Sequence, residues 1–250
     1  MSGAMTTSLA LPPPPPIEAL EENGPIALFV DFDGTLVNIA SGPDAIEVSD
    51  DLGRRLGSLA ERLEGALALV SGRGIDNLSR YLTGEGFFLA GSHGGHIVSS
   101  QGDMLRSADP LPDTVHQELS AFAKQHGLLH ERKAHGAALH YRARPEAEAM
   151  ACAFAGQIAV AHDLAIKNGS CVVELVRPGV NKGGAVEMLA VLAPFAGRTP
   201  IFIGDDFTDE DGFEACTDLG GFGILVGDRA PTAARFRLGT VGDVHAWLNL

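Results

Sequence analysis

The nine residues from Leu28 to Leu36, Leu-Phe-Val-Asp-Phe-Asp-Gly-Thr-Leu, constrain this chain more than any other stretch. A short apolar β-type run ends there in two carboxylates, Asp31 and Asp33, with Gly34 and Thr35 directly behind. Aspartate is a poor strand former, and two beside an apolar strand cost stability unless a cation lies between them. A divalent cation at the C-terminal end of a parallel strand removes that cost. The plain alternative is a strand running into an Asp-Gly turn. Later segments decide against it.

From residue 26 the pattern alternates strand and helix. Ile26–Val30 is apolar, and residues 49–64 carry Leu52, Leu56, Leu59 and Leu63 at helical spacing, with Ser49 or Asp50 as cap. Ala66–Val70 reads as a second buried strand, closed by Ser71-Gly72-Arg73. A helix near 75–82 precedes a third strand, Phe87–Ala90, which runs into Gly-Ser-His-Gly-Gly-His. Continuous apolar strands between helices predict a parallel sheet covered on both faces.

The middle of the chain reads differently. Residues 113–126 place Val115, Leu119 and Phe122 on one helical face, and two hairpin-like strands follow at 128–133 and 137–142. Period-2 geometry groups Leu129, Glu131 and Lys133 on one face, and Ala138, His140 and Arg142 on another. An Ala-rich helix begins at Pro145, before strands near 164–167 and 171–176. The first pattern then resumes with a helix at 182–192, a strand at 200–203 before Gly204-Asp205-Asp206, and strands at Gly223–Val226 and near 239–241. The expected fold class is α/β: a parallel-sheet core, 25–106 and 177–250, with a smaller α+β domain, 107–176, inserted in it. Residues 1–24, which include the run Pro12–Pro16, read as a disordered or polyproline leader.

A formal charge of −14 argues against nucleic acid and anionic membrane surfaces as partners, since both demand basic patches. Cys152, Cys171 and Cys216 are odd in number and form no CxxC pair, so neither a disulfide framework nor a zinc site is indicated. No apolar run reaches bilayer-spanning length, and the N-terminus lacks the basic start and apolar stretch of a secretory signal. The expectation is a cytoplasmic protein, with monomer as the default state.

In an open parallel sheet, the loops at the carboxyl ends of the strands converge on one crevice. Those loops deliver Asp31 and Asp33, then Ser71, then Asp205, Asp206 and Asp209, while Lys182 opens the helix after the insertion. So many carboxylates in one crevice repel unless cations sit among them. Mg2+ and one lysine supply that charge, because Mg2+ favours one or two carboxylates, waters and a substrate phosphate. Asp31 can then attack phosphorus, and Asp33 can protonate the leaving oxygen and later deprotonate water. Thr35 or its backbone, the Ser71 hydroxyl and Lys182 can hold phosphate oxygens. Singly, Ser71 and Lys182 are weak signals; it is the order of all four segments at strand ends that excludes a solvated acidic loop.

At this point the chain resembles the haloacid dehalogenase-like phosphatases. DFDGT at 31–35, VSGR at 70–73, NKGG at 181–184 and GDDFTDEDGF at 204–213 match that superfamily's four motifs in order. The resemblance implies a Rossmann-like core and Mg2+-dependent, two-step phosphomonoester hydrolysis through an aspartyl-phosphate. It places the metal on Asp31, the Asp33 carbonyl and Asp205, with Asp206 and Asp209 supporting metal-bound water or the Lys182 ammonium. Within the superfamily the chain is most similar to the trehalose-6-phosphate phosphatase branch, through GSHGGH at 91–96, Glu131-x-Lys133, ALHYR at 138–142 and Val-Val-Glu-Leu at 172–175. That branch implies a cap domain, a sugar-phosphate substrate, and contact between the distal sugar and Glu131, Lys133, Arg142 and Glu174, with Arg73 and His93 lining the cleft. His96 departs from the pattern, which usually has Glu there. Phosphatases of the sucrose-phosphate or mannosyl-phosphoglycerate type, and a non-catalytic sugar-phosphate sensor, stay open as alternatives. A dinucleotide-binding oxidoreductase is disfavoured, because the first strand ends in DFDGT rather than a Gly-rich fingerprint.

Overall fold

Helix α1 (Ile17–Asn23) leads into strand β1 (Ile26–Val30) in the computed structural model, which describes residues 11–39, 46–82, 86–169 and 171–250. Then come α2 (Leu52–Arg62), β2 (Leu67–Val70), α3 (Ile75–Tyr81) and β3 (Phe88–Gly91), before a hairpin of β4 (His96–Val98) and β5 (Met104–Ser107). The middle runs α4 (Asp113–His126), β6 (Leu129–Lys133), β7 (Gly136–His140), α5 (Glu148–His162), β8 (Ala165–Gly169) and β9 (Val172–Val176). The chain ends with α6 (Lys182–Ala190), β10 (Thr199–Gly204), α7 (Glu210–Asp218), β11 (Phe222–Val226), β12 (Phe236–Leu238) and α8 (Val241–Leu248).

Two sheets result. The larger has the order β12-β11-β10-β1-β2-β3-β4-β5, parallel from β12 to β3 and antiparallel in the terminal hairpin. β1 explains why such apolar strands were needed: it is buried along its whole length. Leu28 and Val30 pack into a core with Leu52 and Leu56 of α2 and Val244 of α8, whereas Ala27 and Phe29 face Val186 and Leu189 of α6 and Phe213 of α7. Phe29 stacks on Phe195 at 5.3 Å between ring centres. Emptying such a site (Phe29→Ala) costs about 3–5 kcal/mol.

The smaller sheet, β6-β7-β9-β8, is wholly antiparallel. Ala137, Leu139, Val173 and Leu175 on one face share a core with Val115, Leu119 of α4 and Ala151, Ile158 of α5. Its other face is polar. The fold is thus α/β, a Rossmann-like parallel-sheet core with a smaller α+β unit inserted between β5 and α6. Among the described residues, no helix is long and apolar enough to cross a membrane.

Several expectations are corrected. In β6 and β7, Leu129 pairs with His140 and Glu131 with Ala138, so the two sets of residues share one face instead of occupying two; directly opposed residues in an antiparallel pair point the same way. Arg142 lies beyond the end of β7 and is exposed. The last strand is Phe236–Leu238, not 239–241, because the Thr240 hydroxyl accepts from the Asp243 backbone N–H at 3.2 Å and starts α8. In the leader, residues 11–24 are structured. The Pro12 carbonyl accepts from the Arg237 N–H of the edge strand β12 (3.0 Å), the Trp247 indole donates to the Pro15 carbonyl (2.8 Å), and Ile17 is 1% exposed. Proline lacks a donor but keeps its carbonyl, which is all a sheet edge asks of it. Residues 1–10 lie outside the described residues.

Candidate active site

Chain connections run one way from β1 to β2 and β3, and the other way through β10, β11 and β12. The reversal between β1 and β10 opens a crevice at their carboxyl ends, where open α/β sheets bind ligands. Asp31 is the first residue past β1 and donates its backbone N–H to the Ile203 carbonyl of β10 at 2.9 Å. Its side chain therefore starts from a fixed point and is only 4% exposed.

Lys182 is the first residue of α6, and the helix is capped by the Asn181 side chain, which accepts from the Gly184 N–H at 2.6 Å. That geometry aims the ammonium into the crevice, where it donates to Asp31 Oδ1 at 2.6 Å and to Asp209 Oδ1 at 2.5 Å. The other Asp209 oxygen accepts from the backbone N–H groups of Asp205 (3.0 Å) and Asp206 (2.9 Å) and folds the loop after β10. Arg229, from the loop after β11, grips the same loop from outside by donating to the Asp205 and Asp206 carbonyls at 2.9 and 2.8 Å. At Gly34 (φ +82°) a Cβ would stand 2.1 Å from Asp205 Oδ2, so only glycine lets the two loops approach.

Asp31, Asp205 and Asp209 each bring a carboxylate oxygen within 4.8 Å of the others. Burial, countered by Lys182 and reinforced by Asp209 and Asp205, raises the Asp31 carboxyl well above its ordinary range. Burial and then Asp209 push Asp205 up to about 7. Burial opposes the Lys182 charge, but Asp209 and Asp31 outweigh it and hold the ammonium above its usual pKa. One ammonium does not balance three carboxylates, and Asp205 Oδ1 is buried with no hydrogen-bond partner. An orphaned, buried carboxylate oxygen beside other hard oxygens fits a divalent cation.

The crevice continues into a cleft of about 620 Å³ between the strand ends and the polar face of the smaller sheet. On the first side, the Arg73 fork donates to both oxygens of Asp33, at 2.6 and 2.7 Å, and to Asn77 Oδ1 at 2.8 Å. His93, left-handed at φ 55°, is tied by its N–H to the Ser71 carbonyl (2.9 Å). Such a conformation is costly for a residue with a Cβ, and it faces His93 Nε2 towards Glu174 Oε2 of β9 at 3.3 Å. Glu174 also takes a 2.5 Å bond from Lys133 Nζ, while Glu131 Oε2 meets His140 Nε2 at 2.8 Å. Burial works against the Glu174 charge, yet His93 and Lys133 pull its carboxyl well below the usual range.

Of the residues expected to form the site, Asp31, Asp33, Ser71, Arg73, His93, Glu131, Lys133, Glu174, Lys182, Asp205 and Asp206 all line this cleft. Thr35 does not: it is fully buried, with Oγ1 lacking a partner. Arg142 does not line it either. Asp206 lines the cleft, but its carboxylate accepts from the Phe207 N–H at 2.7 Å, and it is Asp209 that joins Asp31 and Asp205. His96 sits apart on β4, its ring 5.4 Å from that of His135. Asn77 and Arg229 escaped the sequence reading. Both act by holding another group, and only convergence of the loop after β11 on the crevice could have pointed to Arg229.

A family model described as Trehalose-phosphatase matches residues 29–240. The trehalose-6-phosphate phosphatase of Escherichia coli (strain K12) is 38% identical over 242 residues, covering 94% of this chain and 90% of that protein. The C-terminal domain of the Candida albicans trehalose-6-phosphate phosphatase superposes with a TM-score of 0.79 at 22% identity, over 97% of this chain and all of that one. A phosphatase of the HAD enzyme superfamily from Bacteroides thetaiotaomicron shares the fold with a TM-score of 0.61 at 14% identity, covering 89% and 92% of the two chains.

Proposed function

This chain belongs to the trehalose-phosphatase family and is a phosphomonoester hydrolase, and from that premise we propose that it converts trehalose 6-phosphate to trehalose and phosphate. The observation that carries this reading is the cleft itself. A buried Asp31–Lys182–Asp209 cluster closes one end, and paired polar side chains suited to a disaccharide's hydroxyls line the other.

In the first step Asp31 attacks phosphorus, a P–O bond to Asp31 forms, and the P–O bond to the sugar breaks. Asp33 gives the leaving oxygen its proton. In the second step water attacks the aspartyl-phosphate, Asp33 takes the water's proton, and phosphate leaves Asp31 free. Lys182 and Ser71 hold phosphate oxygens while charge spreads over them. Mg2+, when held by Asp31, the Asp33 carbonyl and Asp205, neutralises phosphate charge. Both Asp33 oxygens accept from the Arg73 fork, so the fork lets go of one of them before Asp33 carries a proton to the leaving oxygen. Residues 107–176 act as a cap over a core of 25–106 and 177–250, and Glu131, Lys133 and Glu174 read the distal sugar.

The test is phosphate release, with and without Mg2+, from trehalose 6-phosphate, sucrose 6-phosphate, glucose 6-phosphate and an aryl phosphate. Mg2+-dependent turnover with clear preference for trehalose 6-phosphate is expected, and Asp31→Asn should abolish it. Preference for another sugar phosphate would overturn the substrate, and a fully active Asp31→Asn would overturn the mechanism.

A further inference from the structure

On the polar face of the smaller sheet, Lys133 is held by Glu174, whereas Glu131 is held by a residue with no role so far, His140. The register of β6 and β7 sets Glu131 opposite Ala138 and Leu129 opposite His140. Glu131 thus has only a methyl group across from it, and His140 is its diagonal neighbour on the same face. Cross-strand packing against Ala138 does little to fix the Glu131 torsions, and the hydrogen bond with His140 Nε2 at 2.8 Å selects among them. Both side chains line the cleft. The hydrogen bond from His140 is also the leading cause that keeps the Glu131 carboxyl below its usual range, against partial burial. Both groups are partly exposed, 32% and 47%, so such a pair adds little to folding stability. Its consequence lies in orientation.

We propose that His140 is a positioning residue for substrate selection, its Nε2–H fixing the Glu131 carboxylate towards the hydroxyls of the sugar distal to the phosphate. This rests on the reading that Glu131 contacts that sugar.

The experiment compares His140→Ala, His140→Gln, Glu131→Ala and the double variant in the full chain, with trehalose 6-phosphate and with an aryl phosphate that has no distal sugar. His140→Ala should raise KM for trehalose 6-phosphate about fivefold with kcat and the melting temperature unchanged, the scale of one partly exposed charge-assisted bond. Aryl phosphate kinetics should not move. His140→Gln should recover most of the loss, because its amide nitrogen lies as many bonds from Cα as Nε2 does. The double variant should be no worse than Glu131→Ala. If Glu131→Ala raises KM while His140→Ala does not, or if the two effects multiply, His140 does not act through Glu131. If Glu131→Ala leaves KM unchanged, the sugar contact itself is wrong and the positioning role falls with it.

Discussion

Asp205 has a buried oxygen with no partner and a carboxyl pushed up to about 7, chiefly by burial and next by Asp209. Its ordinary value is 3.8. Between that value and about 7, the folded metal-free protein keeps a proton that the unfolded chain has shed, so stability rises as pH falls through this window. The metal-free protein should gain several degrees in melting temperature from pH 8 to pH 6, and Asp205→Asn should gain less. A divalent cation held by Asp205, as proposed, would replace that proton, so added Mg2+ should raise the melting temperature more at pH 8 than at pH 6. Equal gains for parent and variant in chelator would show that Asp205 is not the group being titrated. At this scale the site was largely legible, since Asp31, Asp33, Asp205 and Asp209 sit in short segments whose chemistry conflicts with an ordinary strand end. Arg229 was not, because it binds carbonyls, and a carbonyl leaves no mark on residue type.

Among elements, α6 joins local structure most directly to chemistry. Asn181 caps the helix, and the next residue carries the buried ammonium. Asn181→Ala should cost about 1 kcal/mol of stability, as loss of a cap does, and should lower kcat through displacement of Lys182. Urea denaturation and steady-state kinetics measure the two effects, and an unchanged kcat would show that the cap does not place the lysine. Elements with a strong apolar period were readable. Helix α4 spans Asp113–His126, as Val115, Leu119 and Phe122 foretold, and it stops at Gly127 in the left-handed region (φ 66°). Short ends were not readable. The cap of α2 is Asp51, not Ser49 or Asp50, with the Ser49 hydroxyl donating to the Asp51 carboxylate at 2.5 Å. Strand β12 was placed near 239–241, three residues late, because Phe236–Leu238 owes its strand to pairing with β11, which local spacing does not reveal.

Across the whole molecule, the N-terminal segment is part of the core. Ile17 packs with Ile26, Val244 and Leu248, joining the start of the described chain to its end. Ile17→Ala should lower stability by about 2–4 kcal/mol, read as a shift in the urea midpoint. No shift would return the segment to the status of a loose leader. Composition hid this, since five prolines in a row read as solvated chain until an edge strand and the Trp247 indole are available to meet their carbonyls. Contacts between the core and the inserted unit include His93 with Glu174 at 3.3 Å and Lys167 with Asp211 at 3.6 Å.

The two sheets share no strand, and the carboxylate cluster hangs from one while the paired polar side chains stand on the other. Descendants of such a chain can exchange residues on β6, β7 and β9 without disturbing Asp31, Lys182 or Asp209. On the function proposed above, chemistry and the choice of sugar are then free to drift at different evolutionary rates.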